Sequence, residues 1–258
     1  MPEAHVEAPT EGSVILASIL LKLGGYGFLR VSLTLFPYGS LYFLPLVYTL
    51  ALLGIIYASL TTLVQVDLKK IIAYSSVAHM NLVVLGIFSF KIQGIVGSLF
   101  LMLGHGLVSG ALFFLVGSLY DRHQTRSILY YGGLAQVMPT FSFFFFFFSI
   151  ANMSFPGTCN FIGELLILVG LFQTNFLVTF IAATGVVLSA AYSIWLFNRL
   201  CFCNIKTLYL ERFRDLSAEE QTILSQLTFW SIFLGILPDF FLSYLSFSVK
   251  CLEVRFFN

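Results

Sequence analysis

The sequence predicts an all-α integral membrane protein with seven transmembrane helices, one of them broken mid-membrane. Three observations predict it. The 258 residues are 59% hydrophobic and 10% charged, with a mean hydropathy of +0.94, where a soluble domain carries about 25% charged residues. Apolar stretches of about 20 residues, enough to cross the hydrocarbon layer, recur along the chain. The basic residues then sort to one side of the membrane.

Residues 1–12 hold Glu3, Glu7 and Glu11 and no apolar run, so a loop without a signal peptide is expected there. Residues 13–258 read as a single transmembrane helical domain. Helices are expected at about 13–36, 41–66, 71–90, 94–120, 134–172, 176–197 and 222–247. The first ends at Pro37-Tyr38-Gly39, and the last is loosened near Gly235 and Pro238. The 134–172 stretch is too long for one span and too short for two with a proper loop. Pro156 removes a helix hydrogen bond and Gly157 permits bending, so a break near 154–158 is expected. Broken membrane helices are tolerated where they line a cavity, and in transporters they mark substrate or ion sites. The alternative is a tight hairpin near one surface.

With seven spans, Lys69, Lys70, Arg122, Arg126, Arg199, Lys206, Arg212 and Arg214 share one side, and Arg30, Lys91, Lys250 and Arg255 the other. The basic side is expected to face the cytoplasm or mitochondrial matrix, with the 1–12 loop. A formal net charge of +1 gives no sign of nucleic-acid binding. Cys159, Cys201, Cys203 and Cys251 form no CxxC pair, so no zinc, haem or iron–sulfur site is read.

The intramembrane polar groups carry the functional reading. A charge at the bilayer centre costs about 2.5–3.5 kcal/mol on insertion scales, so such a residue faces a paired or wet interior. Lys22 lies nine residues past Ser13, about 13 Å deep. Glu164 follows the predicted break. Low dielectric penalises the charged form of both, which makes both candidate proton carriers. A static ion pair is the alternative for Lys22. His79 lies inside the third helix, one turn after Ser75 and Ser76. Ser98, Met102, His105 and Ser109 recur at i, i+4, i+7 and i+11, one face of the fourth helix. A histidine titrates near neutrality and suits a relay; a structural interhelical hydrogen bond is the other reading. Ser189 and Tyr192 are further polar candidates on the sixth helix. No Walker loop, dinucleotide fingerprint or nucleophile–base set appears. No metal or cofactor site is expected.

These residues sit in longer runs: Ala4-His5-Val6-Glu7-Ala8-Pro9-Thr10, Leu20-Leu21-Lys22-Leu23-Gly24-Gly25-Tyr26-Gly27, Asp67-Leu68-Lys69-Lys70 to Ser76, Ala78-His79-Met80, Gly104-His105-Gly106-Leu107, Ala151-Asn152-Met153 and Asn160-Phe161-Ile162-Gly163-Glu164. Together they resemble the antiporter-like subunits of respiratory complex I, nearest the chain 4 branch, over essentially the whole chain. The resemblance implies a fourteen-helix antiporter-like fold with two inverted five-helix repeats, of which this chain is the second half. It implies that Lys22 is the central lysine of the eighth helix, that His105 lies on the eleventh, and that Glu164 is the terminal proton site at the break of the twelfth. It further implies a proton-translocating membrane-arm subunit of NADH:ubiquinone oxidoreductase in the mitochondrial inner membrane. Lys22, His79, His105 and Glu164 would form the proton pathway, with Ser75, Ser109 and Tyr192 in support. FMN, iron–sulfur clusters and ubiquinone would belong to other subunits. The expected partners are the amino-terminal half as a separate polypeptide, the chain 2 and chain 5 subunits, accessory subunits and membrane lipids. A multisubunit cation/proton antiporter and a non-pumping structural remnant are the alternatives. The family's fifth-helix acid and seventh-helix lysine have no counterpart here, and Cys159 replaces a small residue.

Overall fold

The computed structural model describes residues 2–202, 204–205 and 214–257, and side chains for residues 3–202, 204–205 and 214–250. Lys206, Arg212 and Cys203, and the side chains of Cys251 and Arg255, lie outside the described residues. Among those described, the secondary structure is helical, with one isolated bridge between Asp67 and Ser127.

The helices are α1 (Pro2–Glu7), α2 (Thr10–Leu35), α3 (Pro37–Tyr42), α4 (Leu44–Val64), α5 (Leu68–Ile87), α6 (Ile92–His123), α7 (Leu134–Val137), α8 (Pro139–Asn152), α9 (Cys159–Phe172), α10 (Phe176–Cys201), α11 (Ala218–Ile236) and α12 (Asp239–Phe257). Among the described residues α2, α4, α5, α6 and α10 are each long and apolar enough to span a membrane. The 14-residue helices α8 and α9 supply the broken span, each about 21 Å long.

Segment 1–12, expected as a loop, instead contains α1 and the start of α2. The stretch expected as one helix at 222–247 is bent by 68° between α11 and α12. Pro238 stands at that bend and has no N–H to continue the ladder. Helix α2 carries π turns at Leu16–Leu20 and Phe28–Ser32, which flank Lys22. Such turns inside α-helices often mark functional sites.

Helix α6 is the central post. The 98–109 stripe faces protein as expected: Ser98, Met102, His105 and Ser109 are all buried. Glycines let α9 approach it. A Cβ on Gly97 would lie 2.8 Å from the Ile167 backbone nitrogen, and one on Gly163 would lie 2.8 Å from Leu101 Cα. This small-residue contact brings two backbones together without a hydrophobic driving force in lipid.

One end of the bundle collects polar locks. Leu68 donates its amide to Arg126 O at 3.0 Å, and Ile128 donates to Val66 O at 2.9 Å. Arg122 pairs with Glu220, which also closes a capping box with Ser217 at the start of α11. Lys69, placed by the sequence in a basic loop, is instead 1% exposed. Its ammonium donates to Ala8 O at 3.0 Å and lies over the Tyr120 ring, which Arg126 also covers. Packing of α1 over α5 is what buries it.

Asp215 accepts the Thr140 and Phe141 amides at 3.0 and 3.1 Å, so it caps α8 from outside that helix. Burial alone would raise its pKa, but the hydrogen bonds from Thr140, Leu216 and Phe141 hold it below the ordinary carboxylate value. Its stabilisation is therefore present above the unfolded-state pKa and is lost as pH falls through the folded one. Asp215→Ala is expected to cost about 1–2 kcal/mol. Thermal unfolding of the solubilised protein at neutral pH and below pH 3.8 checks this, with the difference between variant and parent shrinking at the acid end. An equal melting temperature for variant and parent at neutral pH would contradict it.

Candidate functional site

Five buried or half-buried polar side chains from five helices form one line. Lys22 on α2 approaches His105 Nδ1 on α6 at 3.0 Å, and its ammonium also donates to Ala17 O on its own helix. That carbonyl lies within the first π turn. His105 and His79, on α5, have ring centroids 5.3 Å apart. His79 Nδ1 lies 2.9 Å from Glu164 Oε1 on α9. The Tyr192 hydroxyl, from α10, reaches His79 Nε2 at 3.4 Å. The two histidines, Glu164 and Tyr192 are nearly inaccessible. In hydrocarbon-like surroundings such groups persist only when paired.

Tautomers follow from the contacts. A charged Lys22 has no acceptor capacity, so His105 Nδ1 accepts and the ring proton sits on Nε2. Where Glu164 carries no proton on Oε1, that oxygen accepts from His79 Nδ1–H, which leaves Nε2 to accept from Tyr192. Proton transfer along the line therefore needs no large side-chain movement at the His79–Glu164 step.

The helix break builds the Glu164 end. Helix α8 stops at Asn152 and α9 starts at Cys159. Pro156 lies between them, and Ser154 and Gly157 take positive φ values of 61° and 96°. A positive φ suits glycine, and Gly157 supplies it. Asn160 Nδ2 donates to Ala151 O at 3.1 Å and ties the half-helices across the break. Glu164 follows one turn into α9. Its Oε2 is buried with no protein partner. A cavity of about 20 Å³ touches Glu164, His79 and Ser189, enough for one water.

At the other end Lys22 borders a groove of about 740 Å³ between α2, α6, α11 and α12. Apart from Ser18 and Tyr26 the rest of its lining is apolar, and α2 exposes Ile15, Ile19, Leu23 and Tyr26. Among the described residues no three His, Cys, Asp or Glu side chains converge as metal ligands would.

A family profile described as NADH:quinone oxidoreductase/Mrp antiporter, transmembrane, matches residues 1–190. The chain belongs to this antiporter family. NADH-ubiquinone oxidoreductase chain 4 of Marchantia polymorpha is 60% identical over 250 residues, 97% of this chain and 50% of that protein. Chain 4 of Chondrus crispus is 58% identical over 98% of this chain and 52% of the relative. The chain thus spans about half the length of the curated relatives it matches. In the structure of respiratory complex I from Thermus thermophilus with bound NADH, one chain superposes with a TM-score of 0.90 at 28% identity, covering 100% of this chain and 54% of that one. The Mrp complex of Dietzia, at 16% identity and a TM-score of 0.86, shares the fold. The antiporter fold of this family is what brings distant stretches of sequence to one line.

Of the residues singled out by sequence, the structure brings Lys22, His79, His105, Glu164 and Tyr192 together. Ser75 donates to Ile72 O at 2.8 Å and borders the Tyr192 pocket. Ser109 does not reach an imidazole; it donates to the His105 backbone carbonyl at 2.6 Å. Back-bonding to i−4 satisfies its hydroxyl within the helix. Sequence reasoning passed over Asn152, Asn160 and His5. The two asparagines flank the break, and an amide beside Pro-Gly inside an apolar run is the signal that marks them. His5 is 1% exposed and stacks on Phe113 at 5.0 Å. Burial first, then nearby positive charges that include Lys22 and Lys69, lower its pKa to about 4. It is therefore neutral at physiological pH.

Proposed function

We propose that this chain forms the carboxyl-terminal half of a proton-translocating, antiporter-like subunit in the membrane arm of NADH:ubiquinone oxidoreductase. The observation that carries the proposal is the line from Lys22 through His105 and His79 to Glu164 beside a helix break, hydrogen-bonded at both ends with the two imidazoles 5.3 Å apart at its middle. Protons come in from the side of the basic loops, taken as the mitochondrial matrix, pass along the line and leave by Glu164. Lys22 loads and unloads a proton against His105. His105 Nε2 has no protein partner, so the proton crosses to His79 by way of a water or a ring rotation, and Glu164 takes it at Oε1.

The chain carries no redox step. Electron transfer, with FMN, iron–sulfur clusters and ubiquinone in other subunits, shifts the charge states of these buried groups from a distance. In this reading the chain works with the remaining half of the fold that its relatives carry. Its neighbours are the chain 2 and chain 5 subunits and accessory subunits, in the mitochondrial inner membrane.

Affinity capture of this chain from mildly solubilised membranes tests the assembly. Flavin absorbance, iron–sulfur signals and NADH:ubiquinone turnover are expected in the captured complex. Capture of an intact complex that lacks flavin and NADH oxidation, yet exchanges sodium for protons, would replace this reading with that of a cation/proton antiporter.

A further inference from the structure

A second polar pocket adjoins the line on the side of the basic loops. A cavity of about 10 Å³ lies between α5, α6, α8 and α10 and is lined by Ser75, Ser149, Asn152, Tyr192 and Ser193. All five side chains are less than a tenth exposed. The rest of the lining is apolar, including Ile71, Leu112 and Phe145. Ser75, Ser149 and Ser193 each donate to a carbonyl three residues back in their own helix, at 2.8, 2.8 and 3.1 Å. Their oxygen lone pairs remain as acceptors facing the pocket. Ser75 and Asn152 line the same pocket as Tyr192, whose hydroxyl reaches His79 Nε2. A polar cavity of about this size with several polar partners is the setting in which a buried water is held.

Its position matters. Ile71, Ile72 and Ser75 lie in the first two turns of α5, next to Lys69 and Lys70, and Leu196 lies near the end of α10, next to Arg199. The Glu164 cavity meets α5 later, at Ala78 and Leu82, and α10 earlier, at Ala182 and Gly185. The two cavities therefore flank His79 on opposite sides along the membrane normal. Neither includes Lys22.

We propose that Ser75, Ser149, Asn152, Tyr192 and Ser193 bind one water and form a second proton inlet to His79 that bypasses Lys22. The inference rests on the proton-translocation reading above. An incoming proton on that water passes to the Tyr192 oxygen while the Tyr192 O–H proton passes to His79 Nε2. His79 then releases its Nδ1 proton to Glu164 Oε1. The tyrosine ends unchanged, and one proton has moved from the water to the carboxylate. The route through Lys22 and the route through Tyr192 join at His79.

The test uses the assembled complex in sealed vesicles. Tyr192→Phe removes the hydroxyl and keeps the ring; Ser149→Val fills the water space. Both are expected to lower NADH-driven proton transfer several-fold and to enlarge the solvent deuterium isotope effect on turnover, which a packing defect alone does not do. Normal proton transfer and an unchanged isotope effect in both variants would overturn the second inlet. So would a high-resolution structure of the complex with no water density among these five side chains. Glu164→Gln measured in parallel separates the two ideas. If it alone lowers proton transfer, the second inlet is wrong and the translocation reading stands; if no variant does, both fall.

Discussion

Glu164→Gln is expected to remove this subunit's share of proton translocation while the complex still assembles. The carboxamide has the shape of the carboxylate, and its oxygen can still accept from His79 Nδ1, now at 2.9 Å from Glu164 Oε1. It cannot take a proton near neutral pH. Glu164→Ala is the harsher change, because it also leaves the buried His79 Nδ1–H without its acceptor, which costs about 1–3 kcal/mol. The measurement is the ratio of protons moved to electrons transferred in sealed vesicles. The ratio should fall for Gln and recover in part for Glu164→Asp, which keeps the titrating group. An undiminished ratio for Gln would leave Glu164 as a structural partner of His79 and favour the non-pumping reading of the chain.

The second large effect is expected at Lys22. Its ammonium contacts His105 Nδ1 and the Ala17 carbonyl and has no carboxylate partner among the described residues. That favours a group that changes charge over a static ion pair. Lys22→Met keeps an unbranched apolar stem without the amine. Lys22→Arg keeps the positive charge but cannot release its proton. Both should depress the proton-to-electron ratio to a similar degree. Restoration by arginine would mean that only fixed charge is required at this position.

The sequence was most legible where chemistry is expensive. Ionisable groups inside lipid are costly, so Lys22, His79, His105 and Glu164 stood out, and Pro156-Gly157 announced the break. Tyr192 was harder, because a tyrosine in a membrane helix is ordinary packing until its hydroxyl is seen facing an imidazole. The pairing of Lys22 with His105 and of His79 with Glu164 was invisible, since each joins positions more than 80 residues apart. Serine stripes misled for a physical reason. Ser109 lies on the face of His105, but a helical serine satisfies itself on its own backbone. Lys69 misled in the opposite direction. A lysine at the start of an apolar helix reads as a solvated loop charge, and only docking of α1 over α5 encloses it. The 68° bend at Pro238 exceeds a loosening because Leu237 leaves helical geometry, with φ −117° and ψ 63°.

The outward flank of α2 bears on how dry Lys22 stays. Ile15, Ile19, Leu23 and Tyr26 present an apolar surface on the helix that holds Lys22. In a bilayer such a surface is met about equally well by acyl chains or by another apolar helix. Whatever lies against that flank therefore governs how much solvent can seep to the ammonium from outside the bundle.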